Sequence, residues 1–354
     1  MRIAIIGAGI FGLSAAAKLS KLKKIKVDVF DQSNKILDGA TFANHNRHHY
    51  GFHYPRSQKT IDEINLSKKE FEYHYKDACN FNFKNFYAIS KSSRINKIYY
   101  ENFLERNKLK FKIVKNYKSI FNPRKISSVY EVYEGVYNYN KFVKITEKRV
   151  KNVNINLNHK LVNFIKKKNS FNLEFLKNNT IIQKNYDFII NATYSNINEI
   201  LKILKINTKF YEYNLQQLSI ISFKNKRKLG ATIMDGNYPS FLPIGNSNKH
   251  LFAHVTKSQL VKKKSKNNIF NQINYINDNY FNINKESKKY LPILKNSIYH
   301  GSIYVNRVVV KNNNDDRLSD LIFHKKNFIS ILGGKIITCE KTSNDIVSYF
   351  KKNL

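Results

Sequence analysis

The chain opens with Met1-Arg-Ile-Ala-Ile-Ile-Gly7-Ala-Gly9-Ile-Phe-Gly12, and this stretch decides the fold. The β-branched residues before the first glycine predict a strand, and Leu13-Ser-Ala-Ala-Ala-Lys-Leu19 predicts a helix after the turn. Gly7 permits a tight turn, Gly9 leaves room for a pyrophosphate, and Gly12 lets the helix pack closely on the strand. The helix then begins with free N–H groups that face an anionic ligand.

A second strand, Lys26 to Phe30, ends at Asp31, about twenty residues after the glycines. A carboxylate there can accept hydrogen bonds from a ribose, so this order of elements predicts an adenine-dinucleotide site. A secretory signal peptide is the alternative, with Arg2 as its charged region and Ser14 to Ala17 as its cleavage site. That alternative leaves the spacing of the glycines and the position of the acid unexplained. No apolar run elsewhere approaches the ~18 residues of a membrane span.

Composition indicates a folded protein of two domains. The chain has 354 residues, 42% of them hydrophobic and 14% aromatic, which is enough for two packed cores. Its two cysteines, Cys79 and Cys339, form no disulfide framework and indicate a reducing cytoplasm. Peripheral attachment to the inner face of the membrane is an open alternative for the localisation.

The net charge of +37 ordinarily indicates a nucleic-acid or anionic-membrane partner. Here the lysines are dispersed, Trp is absent, and Asn, Ile, Tyr and Phe are abundant, as an AT-rich coding sequence would dictate. We therefore expect solvated lysines, no nucleic-acid partner, and long-range attraction of small anionic substrates. Contact with a membrane surface is left open, as is the oligomeric state.

The rest of the chain alternates between elements of two sheets. Ser57 is predicted to cap a helix that runs to Tyr75, with these residues on one face: Ile61, Ile64, Leu66, Phe71 and Tyr75. Residues 95–107 read as another helix. Strands are predicted at 86–90 and 110–114, and β-rich sequence at 129–139 and 210–223 predicts a second sheet. Strands at 152–157, 170–175 and 186–193 are expected to return to the first domain.

Three distant segments together resemble one family, the FAD-dependent oxidoreductases related to D-amino-acid oxidase, glycerol-3-phosphate dehydrogenase and L-2-hydroxyglutarate dehydrogenase. The opening resembles their dinucleotide fingerprint, and Asp187-Phe-Ile-Ile-Asn-Ala-Thr193 resembles their second flavin motif. Ser330-Ile-Leu-Gly-Gly-Lys-Ile-Ile-Thr338 resembles the segment that closes over the flavin. The segments span nearly the whole chain, so the resemblance is more specific than any single motif.

The resemblance implies an α/β fold, with a doubly wound, Rossmann-like FAD domain and a mostly antiparallel α+β substrate domain. The FAD domain is expected to be discontinuous, because motifs for one cofactor lie at both ends and in the middle of the chain. We assign residues 1–80, 140–205 and 320–354 to the FAD domain. Residues 81–139 and 206–319 are assigned to the substrate domain.

The loop Gly39 to Tyr54 is similar to the family stretch beneath the pyrophosphate and the flavin ring, with His49-Tyr50-Gly51 at the place of a characteristic His before a glycine turn. Arg307 lies where relatives often carry a substrate-binding arginine. The residues predicted to contact FAD are Gly7, Gly9, Ile10, Phe11, Gly12, Asp31, Gln32, Ala40, Thr41, Asn46, Arg47, Val162, Ala192, Thr193, Gly333, Gly334, Lys335 and Ile336.

Three positions depart from the family pattern. Tyr194 stands where a glycine commonly follows Ala-Thr, which puts the geometry of that turn in doubt. The pair Arg307-Val308 stands where the family has Arg-Pro. Asp31 replaces the more usual Glu, although either carboxylate can accept from ribose hydroxyls.

The candidate catalytic residues are His49 and Arg307. A histidine can remove a proton from a hydroxyl or ammonium group, contact the flavin or carry it covalently, and a purely structural histidine is the alternative. Arg307, with Arg47 and Arg56, is notable because arginine is scarce here, which indicates bidentate binding of carboxylate or phosphate. An ordinary salt bridge is the alternative for each of the three. Lys335 is expected to stabilise negative charge on the reduced flavin. The histidines 45, 48, 49 and 53 fit no zinc spacing, so no metal is expected.

The leading interpretation is an FAD-dependent oxidoreductase that oxidises a small anionic amine or alcohol, such as an amino acid, hydroxy acid or sugar derivative, by hydride transfer to flavin. The alternatives are an NAD(P)-dependent dehydrogenase, a flavoprotein acting on tRNA and a non-catalytic flavin-binding relative. An NAD(P) enzyme leaves the two later motifs unexplained, and a tRNA enzyme requires strongly salt-dependent RNA binding. The sequence names neither the substrate nor the electron acceptor.

Overall fold

The structure, a computed structural model, describes residues 1–353 except residues 169, 271, 272, 274, 311–315 and 326. The predicted domain ranges include these positions, which lie outside the described residues. The helices are α1 (Ile10–Leu19), α2 (Gln58–Tyr75), α3 (Lys97–Arg106), α4 (Tyr139–Arg149), α5 (Ile197–Ile203), α6 (Tyr280–Lys288) and α7 (Cys339–Asn353).

Most of the remaining chain is β-structure. The strands are β1 (Arg2–Ile6), β2 (Lys26–Phe30), β3 (Cys79–Asn80), β4 (Lys84–Ser90), β5 (Phe111–Ile113), β6 (Ile126–Val132), β7 (Val136–Tyr137), β8 (Asn154–Asn156), β9 (Lys160–Lys166), β10 (Phe171–Lys177), β11 (Thr180–Tyr186), β12 (Phe188–Asn191), β13 (Tyr211–Phe223), β14 (Leu229–Met234), β15 (Pro239–Pro243), β16 (Lys249–His254), β17 (Gln259–Ser265), β18 (Ser297–Val309), β19 (Asp320–Lys325) and β20 (Phe328–Leu332).

The first sheet has the strand order β19-β20-β12-β1-β2-β8. Its strands are parallel except β19, which pairs antiparallel with β20. The central strand β1 is buried from Ile3 to Ile6, as expected for a strand covered on both faces. The chain enters this sheet through residues 2–30, returns at 154–156 and 188–191, and returns again at 320–332. This is the doubly wound α/β architecture that the sequence predicts.

Helix α1 crosses from β1 to β2 and packs against α7 at the other end of the chain. Its alanines 15–17 are buried, and the Ser14 hydroxyl lies 3.3 Å from the sulfur of Cys339. Gly12 makes the close approach possible, because a Cβ there would lie 2.0 Å from the carbonyl oxygen of Gly7. The predicted packing role of this glycine therefore has a direct geometric cause.

The other face of the first sheet is covered by the antiparallel sheet β11-β10-β9. Phe30 of β2 stacks on Phe175 of β10 with ring centroids 4.0 Å apart. The predicted strand at 170–175 thus exists and packs on the first sheet, but it belongs to a separate layer.

A second large sheet, of mixed pairing, has the order β17-β13-β16-β15-β14-β4-β6-β5, with β18 paired to β13. Among the described strands of this sheet, β14 and β4 pair in parallel and the other pairings are antiparallel. The long strand β13 pairs with β17 over its first half and with β16 over its second half, while β18 accompanies it throughout. The predicted second, mostly antiparallel sheet is therefore present.

Helix α2 begins as predicted, since the Ser57 hydroxyl accepts a hydrogen bond from the backbone N–H of Thr60. Ile61, Ile64, Phe71 and Tyr75 are fully buried. The assignment of Leu66 to the same face was wrong, because this side chain is 73% exposed. Two residues after Ile64, it lies about 200° further around the helix, on the opposite face. In the part of the chain that the structure describes, no helix is long and apolar enough to cross a membrane.

Candidate active site

A cavity of about 730 Å³ lies between the first sheet and the second large sheet. It starts at the carboxyl ends of β1, β2 and β12, where open α/β sheets bind ligands, and extends to β13, β15, β16 and β18. Most of the predicted site residues line it: Gly7, Gly9, Ile10, Phe11, Asp31, Gln32, Ala40, Thr41, Arg47, His49, Ala192, Thr193, Arg307, Gly333, Gly334, Lys335 and Ile336. Residues from four distant parts of the sequence thus meet in one cavity.

Three predicted contact residues do not line this cavity: Gly12, Asn46 and Val162. Gly12 faces the carbonyl of Gly7 inside the strand–helix junction. The carbonyl of Asn46 accepts a hydrogen bond of 2.6 Å from the backbone N–H of Tyr137. Lys160 and Leu161, at the start of β9, line the cavity, whereas Val162 does not.

The glycine turn leaves the space that a dinucleotide needs. Gly7 has a φ of 111°, and a Cβ there would lie 2.6 Å from the carbonyl oxygen of Ala192. A Cβ on Gly9 would meet nothing nearer than the Thr41 hydroxyl at 3.6 Å and would project into the cavity. The N-terminus of α1 also faces this space, and its dipole favours a negatively charged group. These features fit the pyrophosphate of FAD.

The carboxylate of Asp31 makes two hydrogen bonds to the backbone. One oxygen accepts from the N–H of Ala8 at 2.7 Å, and the other accepts from the N–H of Ser33 at 2.8 Å. Asp31 therefore holds the glycine turn and also lines the cavity. Its predicted contact with a ribose stays a prediction.

Tyr194 adopts a left-handed backbone conformation of the kind that glycine adopts freely. Its φ is 51°, in the left-handed region, which costs a non-glycine residue roughly 1–2 kcal/mol. Beside it, the Thr193 hydroxyl donates to the Asn191 side chain at 2.7 Å. The departure from Ala-Thr-Gly therefore changes the side chain and leaves the turn geometry glycine-like.

Three histidines of the loop line the far end of the cavity: His45, His49 and His53. In the described structure the Nδ1 atom of each is buried without a hydrogen-bond partner. Burial lowers the pKa of His45 to about 3 and lowers the pKa values of His49 and His53 well below their usual range. Nearby Lys335 and Arg47 add to the effect at His49. His49 is therefore a neutral imidazole, as a general base must be.

His48, the neighbour of His49, points away from the cavity. Its Nδ1 lies 3.0 Å from the Tyr137 hydroxyl and its Nε2 lies 3.0 Å from the Glu72 carboxylate. It is fully buried, and burial lowers its pKa. Both ring nitrogens are thus occupied by structural contacts.

Cationic groups surround the same end of the cavity. The Lys335 ammonium lies 4.5 Å from the centre of the Tyr54 ring, and burial together with Arg317 and Arg307 lowers the pKa of Lys335 well below its usual range. Arg307 donates a hydrogen bond of 2.7 Å to the side-chain oxygen of Gln216. Arg47 and Arg56, by contrast, form ion pairs with Glu134 at 2.9 Å and Asp235 at 2.6 Å. Arg47 and Arg56 therefore form ordinary salt bridges, which was the alternative for these arginines.

Sequence reasoning missed a second set of lining residues. His53 and Tyr54 belong to the predicted loop and were identifiable by their proximity to His49. Further lining residues come from the second large sheet, where no motif marks them: Gln216, Leu218, Ser240, Ala253 and Val305. Strand alternation alone does not say which face of that sheet meets the cavity.

A separate group of possible metal ligands, Glu70, His74 and Glu340, lies outside the cavity. Its carboxylates are already neutralised, because Lys18 contacts both of them and Arg149 pairs with Glu340 at 2.6 Å. We interpret this group as an ion-pair network that joins α1, α2, α4 and α7.

With this geometry in view, residues 2–121 match the family model described as DAO, FAD dependent oxidoreductase. The match confirms the predicted resemblance over that part of the chain. It also confirms an FAD-dependent oxidoreductase as the class of enzyme and FAD as its cofactor. No curated protein sequence was found to match the chain.

Solved structures extend the similarity of fold to nearly the whole chain. L-proline dehydrogenase from P. horikoshii is 13% identical, with a TM-score of 0.74 over 99% of this chain and 93% of that chain. Glycine oxidase from Geobacillus kaustophilus is 11% identical, with a TM-score of 0.75 over 99% and 95%. L-alpha-glycerophosphate oxidase from Mycoplasma pneumoniae, solved with FAD bound, is 17% identical, with a TM-score of 0.75 over 98% and 93%. These matches confirm the fold class.

Proposed function

We propose that this protein oxidises a small anionic amine or alcohol by hydride transfer to FAD. The observation that carries the proposal is the meeting of His49, Arg307 and Lys335 at the end of the cavity that begins at the glycine turn. The proteins with similar folds are named for proline, glycine and glycerophosphate as substrates, which are small and carry an anionic group.

The residues of the glycine turn, Asp31 and the Gly333–Ile336 segment would hold FAD. When bound, the flavin supplies the redox chemistry by accepting a hydride. The protein has to bind the substrate's charge, orient its C–H bond and accept its proton. A side chain on Gly9 would project into the space left for the cofactor, and a Cβ on Gly333 would lie 2.3 Å from the Phe11 ring.

Arg307 is the proposed anion-binding group. Within the described residues its guanidinium donates a side-chain hydrogen bond to the neutral amide of Gln216 and pairs with no carboxylate, so its charge is available to a carboxylate or phosphate. The charge of Arg47, by contrast, is balanced by Glu134. A bidentate guanidinium also fixes orientation, which a point charge does not.

His49 is the proposed general base. Its ring is neutral and its Nδ1 has no hydrogen-bond partner within the described structure. The Nδ1 atom of His49 can therefore accept the proton of the substrate's hydroxyl or ammonium group. His45 and His53 lie in the same wall and are equally dehydrated. Only His49 precedes the glycine turn that the family resemblance places against the flavin.

The test is anaerobic reduction of the bound flavin by a panel of amino acids, hydroxy acids and phosphorylated polyols. The wild-type protein should be bleached by at least one anionic member of the panel. Arg307→Lys should keep FAD but slow bleaching by about 100-fold, because orientation is lost. The matched control is Arg124→Lys, at an exposed position outside the cavity lining, which should behave as wild type. Equal rates in Arg307→Lys and wild type would remove Arg307 from the site.

A further inference from the structure

Residues 46–50, the His49 segment, form a short extended stretch that is bonded to residues 134–137. The backbone N–H of His48 donates to the carbonyl of Gly135 at 2.9 Å, and that of Tyr137 donates to the carbonyl of Asn46 at 2.6 Å. The segment begins at Asn46, with a φ of 52°, and is followed by Gly51, with a φ of 109°, so a residue with positive φ marks each end. Between these turns it behaves as a strand with a defined register.

Side chains alternate along the His49 segment as they do in a strand. Arg47 and His49 line the cavity, whereas His48 and Tyr50 point the other way and both contact Glu72. A shift of the register by one residue would turn every side chain to the opposite face. Because two histidines are adjacent, such a shift would replace His49 by His48 in the cavity wall. The chemistry of the site therefore depends on what fixes the register.

The carboxylate of Glu134 forms hydrogen bonds to the residues on either side of the two histidines, Arg47 and Tyr50. One oxygen accepts from the guanidinium of Arg47 at 2.9 Å and from the hydroxyl of Tyr87 at 2.5 Å. The other oxygen accepts from the backbone N–H of Tyr50 at 3.0 Å. Glu134 is only 2% exposed, and Arg47 also donates to the Thr232 hydroxyl at 2.8 Å.

These bonds join the His49 segment to the second large sheet, since Tyr87 lies in β4 and Thr232 in β14. We propose that Glu134 is a positioning residue that fixes the register of the His49 segment and so keeps His49 in the cavity wall. The proposal rests on the proposed function, because that function gives His49 its role. Glu134 itself is not among the residues that line the cavity.

The principal test compares Glu134→Gln with Glu131→Gln. The first variant keeps the shape of the side chain, but an amide has a single acceptor oxygen and cannot receive hydrogen bonds on both sides. The control removes a partly exposed carboxylate three residues earlier, which contacts no part of the His49 segment. Amide hydrogen exchange of the FAD-bound protein measures the segment directly. Exchange at Tyr50 and His48 should be about tenfold faster in Glu134→Gln and unchanged in Glu131→Gln.

A second readout follows flavin reduction. Glu134→Gln should slow it by about 100-fold, as a displacement of about 1 Å does. In a His49→Ala background the same substitution should have little further effect, because the residue acts through His49. An equal loss in both backgrounds would show a general structural role and overturn the proposal, as would unchanged exchange at Tyr50.

If Glu134→Gln fails to fold because Arg47 is left buried without its partner, Tyr87→Phe is the milder variant. It removes one bond to Glu134 and keeps the ion pair, so faster exchange at Tyr50 is again expected and unchanged exchange contradicts the proposal. Hydrogen exchange needs no substrate. If no substrate reduces the wild-type flavin, the proposed function fails while exchange still decides whether Glu134 holds the segment.

Discussion

The carboxylate of Asp31 accepts a hydrogen bond of 2.7 Å from the backbone N–H of Ala8. The acid that ends β2 therefore holds the glycine turn that ends β1, in addition to facing the cavity. At the opposite end of β1, Asp187 accepts an equivalent bond of 2.7 Å from the N–H of Arg2. The two carboxylates hold the same strand from its two ends, and only one of them lies at the site.

This pair gives the first prediction. Asp31→Ala should weaken FAD binding by about 1–3 kcal/mol, because the turn loses its support and the ribose loses an acceptor. Asp187→Ala, the matched control, should lower stability without changing the affinity for FAD. Flavin fluorescence titration and thermal unfolding separate the two effects. Equal FAD affinities in wild type and Asp31→Ala would contradict this account.

The second prediction concerns Tyr194, whose φ of 51° is costly for any residue with a Cβ. Tyr194→Gly should be more stable than Tyr194→Ala by about 1–2 kcal/mol, because glycine adopts this conformation freely. At Tyr73, an exposed position in α2, the alanine variant should instead be more stable than the glycine variant by about 1 kcal/mol. Urea unfolding measures all four variants. Alanine more stable than glycine at position 194 would show that the turn is not left-handed.

The third prediction is the pH dependence of flavin reduction. Burial lowers the pKa of His49 well below 6.5, so the imidazole is already neutral at pH 6.5 and loses its function only when it is protonated at lower pH. Titration of His49 should not change the rate of flavin reduction above pH 6.5. At lower pH the rate should fall as His49 becomes protonated. His49→Ala should be slow throughout and lack that acid limb. A limb centred at pH 6.5 or above in the wild type would contradict the burial of this ring.

The fourth prediction concerns His250, which is fully buried in the second large sheet beside Phe223 and Phe241. Burial lowers its pKa to about 4, whereas the unfolded chain titrates near 6.5. The unfolded state therefore binds a proton first as the pH falls, and stability is lost between about pH 6.5 and 4. The loss attributable to His250 should approach about 3 kcal/mol, and His250→Phe should remove that part of the pH dependence. Denaturant unfolding at pH 7 and pH 4.5 measures the difference; an equal loss in both proteins would exclude His250.

Local patterns predicted much of this fold, for physical reasons that the structure makes visible. The strand, glycine turn, helix and acid of residues 2–31 depend on neighbours in sequence, so they were readable directly. The cap at Ser57 was readable for the same reason. The partners of Arg47 and His48 were not, because Glu134, Tyr137 and Glu72 approach them only after distant strands and helices pack. Val162 shows the same limit: the strand was predicted, but which of two adjacent residues faces the cavity is set by packing.

The most direct test of the central claim is a titration of the purified protein with FAD, followed by absorption spectroscopy, in wild type and Gly9→Val. We expect one tightly bound, oxidised flavin per wild-type chain. Gly9→Val should retain none, because a valine side chain would occupy the space left for the pyrophosphate. The fold of the variant should be intact by circular dichroism, since a Cβ at this position meets no protein atom closer than 3.6 Å. A wild-type protein that binds no flavin, or a Gly9→Val variant that binds it equally well, would contradict the account.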